Sequence, residues 1–428
     1  MGGPRAARDS PFLPGNTEGL MHVLIVTNYF APEGGAAAVR LTRLAKQLAA
    51  RGHEVTVLTS LPHYPQGRIQ DGYRGRFALT SEVDGIRVVQ TWLLATESPR
   101  IRRKLVSQIS FMLTGLLRGV GLPRPDVLLV EGQPVFTGFA GALLARAKRR
   151  PYVFNVSDLW PDHLLSVGAL SEEDTLYRSA RWLMDRIYGS AASIVAMSPG
   201  WAEIIEARLR HPVPIEVVYN GVDLELFRPD QAAATAFRHR HGLGEAKIVS
   251  FIGTLSTQYD IETIAAVARR IGRREDVQLL FIGCGSQDRA LAEAFGGIEH
   301  FRWIPWLAHD EIPAAWNASC ATFLAMRDHP LYRGTIPAKL YEALAVGVPV
   351  LAALEGSGAR LIEDSGGGAV CACGDVRGLG DLLEAVLHQP ALRTGYSRAA
   401  RAYAERHLDA GRVTQAYEAA LLSAMRRR

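Results

Sequence analysis

Residues 333–349 read Arg333-Gly-Thr-Ile-Pro-Ala-Lys-Leu-Tyr-Glu-Ala-Leu-Ala-Val-Gly-Val-Pro349. Both ends of a short helix are marked in this stretch. Pro337 suits a first turn that has no use for its N–H, and Gly347 suits a left-handed stop before Pro349. The interior, 338–346, is built from strong helix formers. Lys339 and Glu342 are three apart and share one face, while Leu340 and Leu344 share another that can be buried. Free N–H groups and the positive end of the helix dipole beside Lys339 suit an anion such as a diphosphate. An ionised Glu342 is acceptor-only, with two oxygens for the hydroxyls of a ribose. Taken alone, a Lys-x-x-Glu reads as an ion pair on a surface helix, and it is the surrounding sequence that reverses this reading.

Working outward, the chain alternates apolar strands with helical patterns. Met21-His-Val-Leu-Ile-Val-Thr27 is a continuous apolar run, followed by a loop through Gly34-Gly35 and a helical pattern over 36–51. Further strands are expected at 55–58, 86–89, 126–130, 152–156, 193–197 and 215–219. Asn220-Gly-Val-Asp223 opens a turn, and 230–245 is polar and reads as a linker. The alternation restarts with strands at 248–252, 278–282, 320–324 and 348–352. The expected fold is α/β, with two doubly wound parallel-sheet domains whose carboxyl-end loops face a shared cleft. The domains span 21–229 and 246–400, and the helical segment 401–428 is free to cross back to the first. Residues 1–20, rich in Gly, Pro and Arg without an apolar core, read as a disordered leader.

With 428 residues, 48% hydrophobic and 21% charged, the composition is that of a globular chain with room for two domains. The balance of 48 basic against 43 acidic residues gives +5, too mild to point to nucleic acid. The four cysteines, Cys284, Cys320, Cys371 and Cys373, show no disulfide framework or zinc spacing, and a reducing cytoplasm is the simplest compartment.

The segment 333–349, with Glu342-Ala-Leu-Ala and Gly347-Val-Pro349 in register behind Asn220-Gly-Val-Asp223, resembles the retaining GT-B glycosyltransferases of family 4. The resemblance runs from Met21 to the C-terminal helices. Pro32-Glu-Gly-Gly35, Arg51-Gly-His-Glu-Val55 and Pro62-His-Tyr-Pro65 look like the subgroup that builds bacterial surface polysaccharides such as colanic acid and O-antigen, including fucosamine transferases. It implies transfer from a nucleotide-diphosphate sugar, with a uridine one expected, to a lipid-linked glycan, without a metal or other cofactor. The family's Glu-x7-Glu motif sets its second Glu on the ribose, which is Glu342 here. The first falls on Gly334, so a sugar-nucleotide epimerase and a catalytically silent nucleotide-sugar-binding protein stay open as alternatives.

The resemblance places Lys339, Glu342 and Asp158 at the reaction centre. It assigns the nucleotide to Gly253, Thr254, Ile304, Lys339, Leu340 and Glu342, with Ile304 in a loop, 302–306, that frames the base. Gly34 and Gly35 lie after the first strand, where backbone N–H groups approach the phosphates or sugar. His63, Asp158, Trp160 and Asp162 are expected at the acceptor or sugar; Asp158-Leu-Trp-Pro-Asp162 closes a strand, and an aromatic beside an Asp is typical of sugar binding. Metal ligation is not expected of this pair, because Pro161 breaks any shared helical face.

The run 100–118 carries basic residues at its ends and Ile101, Leu105, Ile109, Met112, Leu116 and Val120 at helical spacing. Its uncharged part is too short to span a bilayer. It reads either as an interfacial helix held to anionic lipid by Arg102, Arg103 and Lys104, placing the protein at the cytoplasmic face of the inner membrane, or as a crossover helix packed on its own sheet.

Overall fold

His22–Val26 (β1) is the apolar run that seeds the first sheet, in a computed structural model that describes residues 19–98 and 100–427. The leader expected over 1–20 lies almost wholly outside the described residues. In chain order there follow α1 (Ala36–Ala50), β2 (Glu54–Ser60), β3 (Ala78–Val83), β4 (Ile86–Thr91), α2 (Ile101–Val120), β5 (Val127–Glu131), α3 (Val135–Lys148), β6 (Tyr152–Val156), α4 (Asp162–Ser166), α5 (Thr175–Ser190), β7 (Ser193–Ala196), α6 (Pro199–Glu206) and β8 (Ile215–Val217). The strands form one sheet in the order β3-β4-β2-β1-β5-β6-β7-β8, parallel except for β3, which runs antiparallel to β4 at the edge. The central strands β1, β5 and β6 are almost wholly buried, as parallel strands covered on both faces must be.

The second domain opens with α7 (Gln231–His241) and β9 (Lys247–Ile252). It continues through α8 (Ile261–Ile271), β10 (Val277–Ile282), α9 (Asp288–Phe295), β11 (Phe301–Ile304), α10 (Ile312–Ala318), β12 (Ala321–Ala325), α11 (Pro330–Gly334), α12 (Ala338–Val346), β13 (Val350–Ala353), α13 (Ser357–Ser365), β14 (Gly368–Cys371), α14 (Val376–His388) and α15 (Pro390–His407). Its strand order is β11-β10-β9-β12-β13-β14, all parallel. In each sheet the order turns back beside its first strand, at β1/β5 and at β9/β12, and the crevice outside such a switch point is where ligands bind in this architecture.

Two expectations about the domains change. Segment 230–245 is not a linker: α7 is capped by Asp230, whose side chain accepts from the Ala233 N–H, and it buries Ala234 and Phe237. The return crossing comes at Leu408–Ala410, where Val222 donates its N–H to Leu408 O at 2.9 Å and accepts from the Ala410 N–H at 3.2 Å. The last helix, α16 (Ala410–Arg426), packs against β5, β6 and β7 of the first sheet. The Tyr417 hydroxyl donates to Asn155 Oδ1 at 2.7 Å, and Asn155 donates to buried Glu131, which also pairs with Arg40 of α1. The chain therefore crosses between domains at two adjacent points.

Candidate active site

Helix α12 forms as its sequence requires, over Ala338–Val346, with Pro337 ahead of it and Gly347 at φ 82° as its left-handed stop. Lys339 is not on the surface. It is 7% exposed, and its Nζ lies 3.3 Å from the centre of the Phe251 ring and 4.2 Å from that of Tyr259. Its ammonium has no hydrogen-bond partner among the described residues. Two ring faces stabilise a cation only in part. Burial accordingly holds its pKa well below the usual lysine range, against the upward pull of Glu342.

Gly253, at the end of β9, sits against this lysine. A Cβ there would stand 3.0 Å from Lys339 Cε and 3.4 Å from Nζ, and its φ of 127° is one that side-chain residues rarely adopt. Thr254 follows in the same loop. The N–H of Gly253 itself is taken by Ile282 O at 2.8 Å. Glu342 is nearly buried, and its Oε2 accepts from the indole N–H of Trp316 at 3.0 Å, which leaves Oε1 for a ligand. Burial raises its pKa, opposed by the Trp316 bond and by the charges of His309 and Lys339. Leu340 is wholly buried and its N–H donates to Pro337 O, so its part is to seat the helix in the core and not to touch a nucleotide. Ile304 stands at the carboxyl end of β11 and accepts from the Gly283 N–H at 2.9 Å. The segment expected as a loop over 302–306 is this edge strand and its exit, with the Trp303 indole donating to Gly283 O at 2.8 Å.

In the first domain, Gly35 caps α1 at φ 106°, while Gly34 faces open space; a Cβ on Gly35 would press on the Tyr64 ring at 3.0 Å. His63 stacks on Tyr29 with ring centres 5.6 Å apart. The backbone N–H groups of His63 and Tyr64 both donate to Oε1 of Glu33, at 2.6 and 2.7 Å. Burial raises the Glu33 pKa to about 7 despite those bonds, and lowers that of His63. Asp158 lies at the carboxyl end of β6 with His163 Nδ1 3.7 Å away; burial raises its pKa and His163 opposes the shift. Trp160 is half-buried, with a buried indole nitrogen that has no partner among the described residues. Asp162 is different. It takes both arms of Arg208, at 2.8 and 2.6 Å, and the Tyr177 hydroxyl at 3.1 Å. Its carboxylate is consumed by the domain's own packing, so it is withdrawn from the sugar contacts.

The structure thus brings Lys339, Gly253 and Glu342 together and adds Phe251, Tyr259 and Trp316 to them, while Gly34, Gly35, His63, Asp158 and Trp160 follow the carboxyl ends of β1, β2 and β6 in the first domain. Phe251 was hidden in the sequence because it sits in an apolar strand that reads as core, and Tyr259 because it stands in a polar loop with no signal of its own. Among the described residues, no group of three or more His, Cys, Asp or Glu side chains is placed to hold a metal ion.

Two family models match the chain in succession: the glycosyl transferase 4-like domain over residues 35–221 and the glycosyl transferases group 1 over 234–403. The chain belongs to the GT-B glycosyltransferases of family 4. The enzyme is 24% identical over 427 residues to WcaI of Escherichia coli (strain K12), whose name gives it a provisional role as a colanic acid biosynthesis glycosyl transferase; the match covers 93% of this chain and 98% of that one. It is 25% identical over 367 residues to a GDP-mannose-dependent alpha-(1-6)-phosphatidylinositol monomannoside mannosyltransferase of Mycobacterium tuberculosis (strain CDC 1551 / Oshkosh), covering 82% and 85% of the two chains. Its fold superposes on the crystal structure of Anabaena HepE in complex with UDP-glucose with a TM-score of 0.67 at 18% identity, over 92% and 97% of the chains.

On the outer face of this glycosyltransferase, α2 is the crossover helix between β4 and β5. It packs through a seam of small residues and one aromatic: Ser107, Phe111, Gly115 and Gly119. The opposite face, Val106, Leu113, Leu117 and Val120, is 50–73% exposed. The apolar face open to solvent is therefore rotated from the expected row, whose members other than Val120 are half-buried. Arg102, Arg103 and Lys104 are exposed in its first turns. Among the described residues no helix is long and apolar enough to cross a membrane.

Proposed function

We propose that this glycosyltransferase moves a sugar, with retention of anomeric configuration, from a nucleotide-diphosphate donor, a UDP-sugar, to a lipid-linked glycan in bacterial surface polysaccharide synthesis. The observation that carries the donor reading is Lys339: an unpaired ammonium buried between two aromatic rings, under a glycine loop and beside a carboxylate. A diphosphate supplies the missing counter-charge, and Oε1 of Glu342 takes a ribose hydroxyl. Developing charge on the leaving diphosphate is then stabilised by Lys339 and the α12 dipole, without a metal ion. Asp158, Trp160 and His63 in the first domain orient the acceptor. The UDP-glucose held by HepE and the polysaccharide role in the name of WcaI support this reading.

The lipid acceptor is supported by α2, whose apolar outer face and basic first turns suit an anionic bilayer, and by the phosphatidylinositol-linked acceptor in the name of the mycobacterial relative. The enzyme then works peripherally at the cytoplasmic face of the inner membrane. The test is a thermal-shift screen of nucleotide sugars, followed by transfer to a polyprenyl-diphosphate-linked sugar with EDTA present. Stabilisation by UDP-sugars and a retained, metal-independent transfer support the proposal. A shift by no nucleotide sugar, release of epimerised donor without transfer, or loss of transfer to EDTA with rescue by manganese overturns it.

A further inference from the structure

Strand β3 lies at the free edge of the first sheet and is joined to β4 by the two-residue turn Asp84-Gly85, both at positive φ. Val83 pairs with Ile86 across that turn, and Phe77 O accepts from the Trp92 N–H at 2.8 Å, so the odd-numbered residues 77–83 spend their backbone groups on β4. The N–H and C=O groups of Ala78, Thr80 and Glu82 point the other way, where no strand lies beside them, and all three residues are exposed. Proteins ordinarily blunt such an edge with proline, lysine or a covering segment. Here the strand holds neither residue, and its one charge, Glu82, stands opposite Arg87 of β4. Two large apolar side chains flank it in the open, Phe77 at 62% and Val83 at 45% exposure.

We propose that β3 is the surface through which two copies of this chain pair, edge to edge and antiparallel, about a dyad at Thr80. The stretch Arg76-Phe-Ala-Leu-Thr-Ser-Glu-Val-Asp84 is complementary to its own reverse. With Thr80 opposite Thr80 of the second copy, Ala78 faces Glu82, and the outward groups of all three edge residues find partners. Phe77 then faces Val83 at a non-hydrogen-bonded position, where side chains come closest, and Arg76 faces Asp84. These are favoured cross-strand pairs: aromatic with β-branched, Thr with Thr, and opposite charges. One oxygen of Asp84 meets Lys46 of α1 at 2.8 Å, and a carboxylate has a second for the arginine. A slip of two residues either way sets Val83 opposite Gly75 or Phe77 opposite Gly85 and loses the apolar pair, so the register is fixed by the side chains. The dyad of an antiparallel pair stands normal to the sheet. Arg118 of α2 donates to Thr80 Oγ1 at 3.4 Å, which puts α2 on the Thr80 face, and both α2 helices fall on one side of the joined sheet. Two apolar α2 faces then meet the same bilayer, and avidity strengthens a contact that is weak for one.

Sedimentation velocity of the full chain is expected to show a dimer with an apparent Kd on the order of 10 µM, weak because an edge pair is smaller than a standard interface. Thr80→Pro removes an outward N–H and no bond to β4, and proline is tolerated at an edge, so this variant should keep its circular dichroism and sediment as a monomer. Arg76→Asp and Asp84→Arg should each weaken the dimer about tenfold, and the two changes in one chain should restore it. A mixture of Phe77→Cys and Val83→Cys proteins should form an interchain disulfide on mild oxidation, because paired residues at such positions have Cα atoms about 4.5 Å apart, while neither protein alone should cross-link faster than the parent. The mixture decides the matter should Thr80→Pro fail to fold. A parent that stays monomeric at about 100 µM overturns the proposal. So does a dimer that a folded Thr80→Pro leaves intact, or a mixture that cross-links no faster than the parent.

Discussion

Asp162 and Arg208, 46 residues apart, are joined by two parallel hydrogen bonds of 2.8 and 2.6 Å, with 12% and 9% of their side chains exposed. The pair ties the segment after β6 to the end of α6. Asp158, four residues earlier, has no such partner and faces His163 at 3.7 Å. Two carboxylates in one short motif therefore have separate duties.

Asp162→Asn leaves the Arg208 guanidinium nearly buried without its counter-charge and is expected to lower stability by about 3 kcal/mol. Asp158→Asn is expected to leave stability within about 1 kcal/mol and to reduce transfer at least tenfold. Urea titration alongside an activity assay checks both. Equal destabilisation by the two variants contradicts the separation.

Lys339→Met should weaken UDP binding by about 1.5–3 kcal/mol, the range of a charge-assisted bond, and leave uridine binding nearly unchanged. The protein itself should be no less stable, because the variant removes a buried cation that lacks a partner. A pH effect accompanies this. The free ammonium has a depressed pKa, and a bound diphosphate raises it. The complex then binds more protons than the free enzyme, so UDP affinity falls as pH rises between the two values. Calorimetry in buffers of different ionisation enthalpy should show proton uptake on binding, and Lys339→Met should abolish it.

Glu33 gives stability the opposite dependence from an ordinary paired carboxylate. Its folded pKa of about 7 lies above the usual 4.5 because of burial. The folded state therefore holds its proton longer than the unfolded chain, so stability contributed by Glu33 is full below pH 4.5 and is lost as pH rises through 7. The loss is up to about 3 kcal/mol. Glu33→Gln keeps an oxygen for the His63 and Tyr64 N–H groups, and should be the more stable protein at pH 8 with little difference at pH 5. Chemical denaturation at the two pH values measures it.

The α2 surface should bind anionic vesicles. Replacing Arg102, Arg103 and Lys104 with Gln removes about 1 kcal/mol per charge at low salt, enough to release the protein while UDP binding is retained. Leu113→Ser with Leu117→Ser should also weaken binding, and the remaining binding should keep its salt dependence. Vesicle pelleting that none of these changes alters would return α2 to a purely structural role.

The sequence by itself determined α12 to the residue, because Pro337, the helix formers and Gly347 act within a few positions of one another. The central strands were equally legible, since a strand buried on both faces must be continuously apolar. The edge strands β3, β11 and β14 were not, being short and half-exposed, with no apolar run or clean alternation to read. Helix α7 was missed for a related reason: it buries only Ala234 and Phe237, and its polar remainder looks like a linker. Tertiary structure alone decided what the polar side chains do. Lys339 meets Phe251 and Tyr259 from another strand and loop, Asp162 meets Arg208, and Gly334 meets Trp201 across the domain seam. Spacing along a chain reports which face a side chain shares with its neighbours, and only the packing of distant segments fixes which charges are paired, which are buried alone, and where a glycine leaves room for another residue.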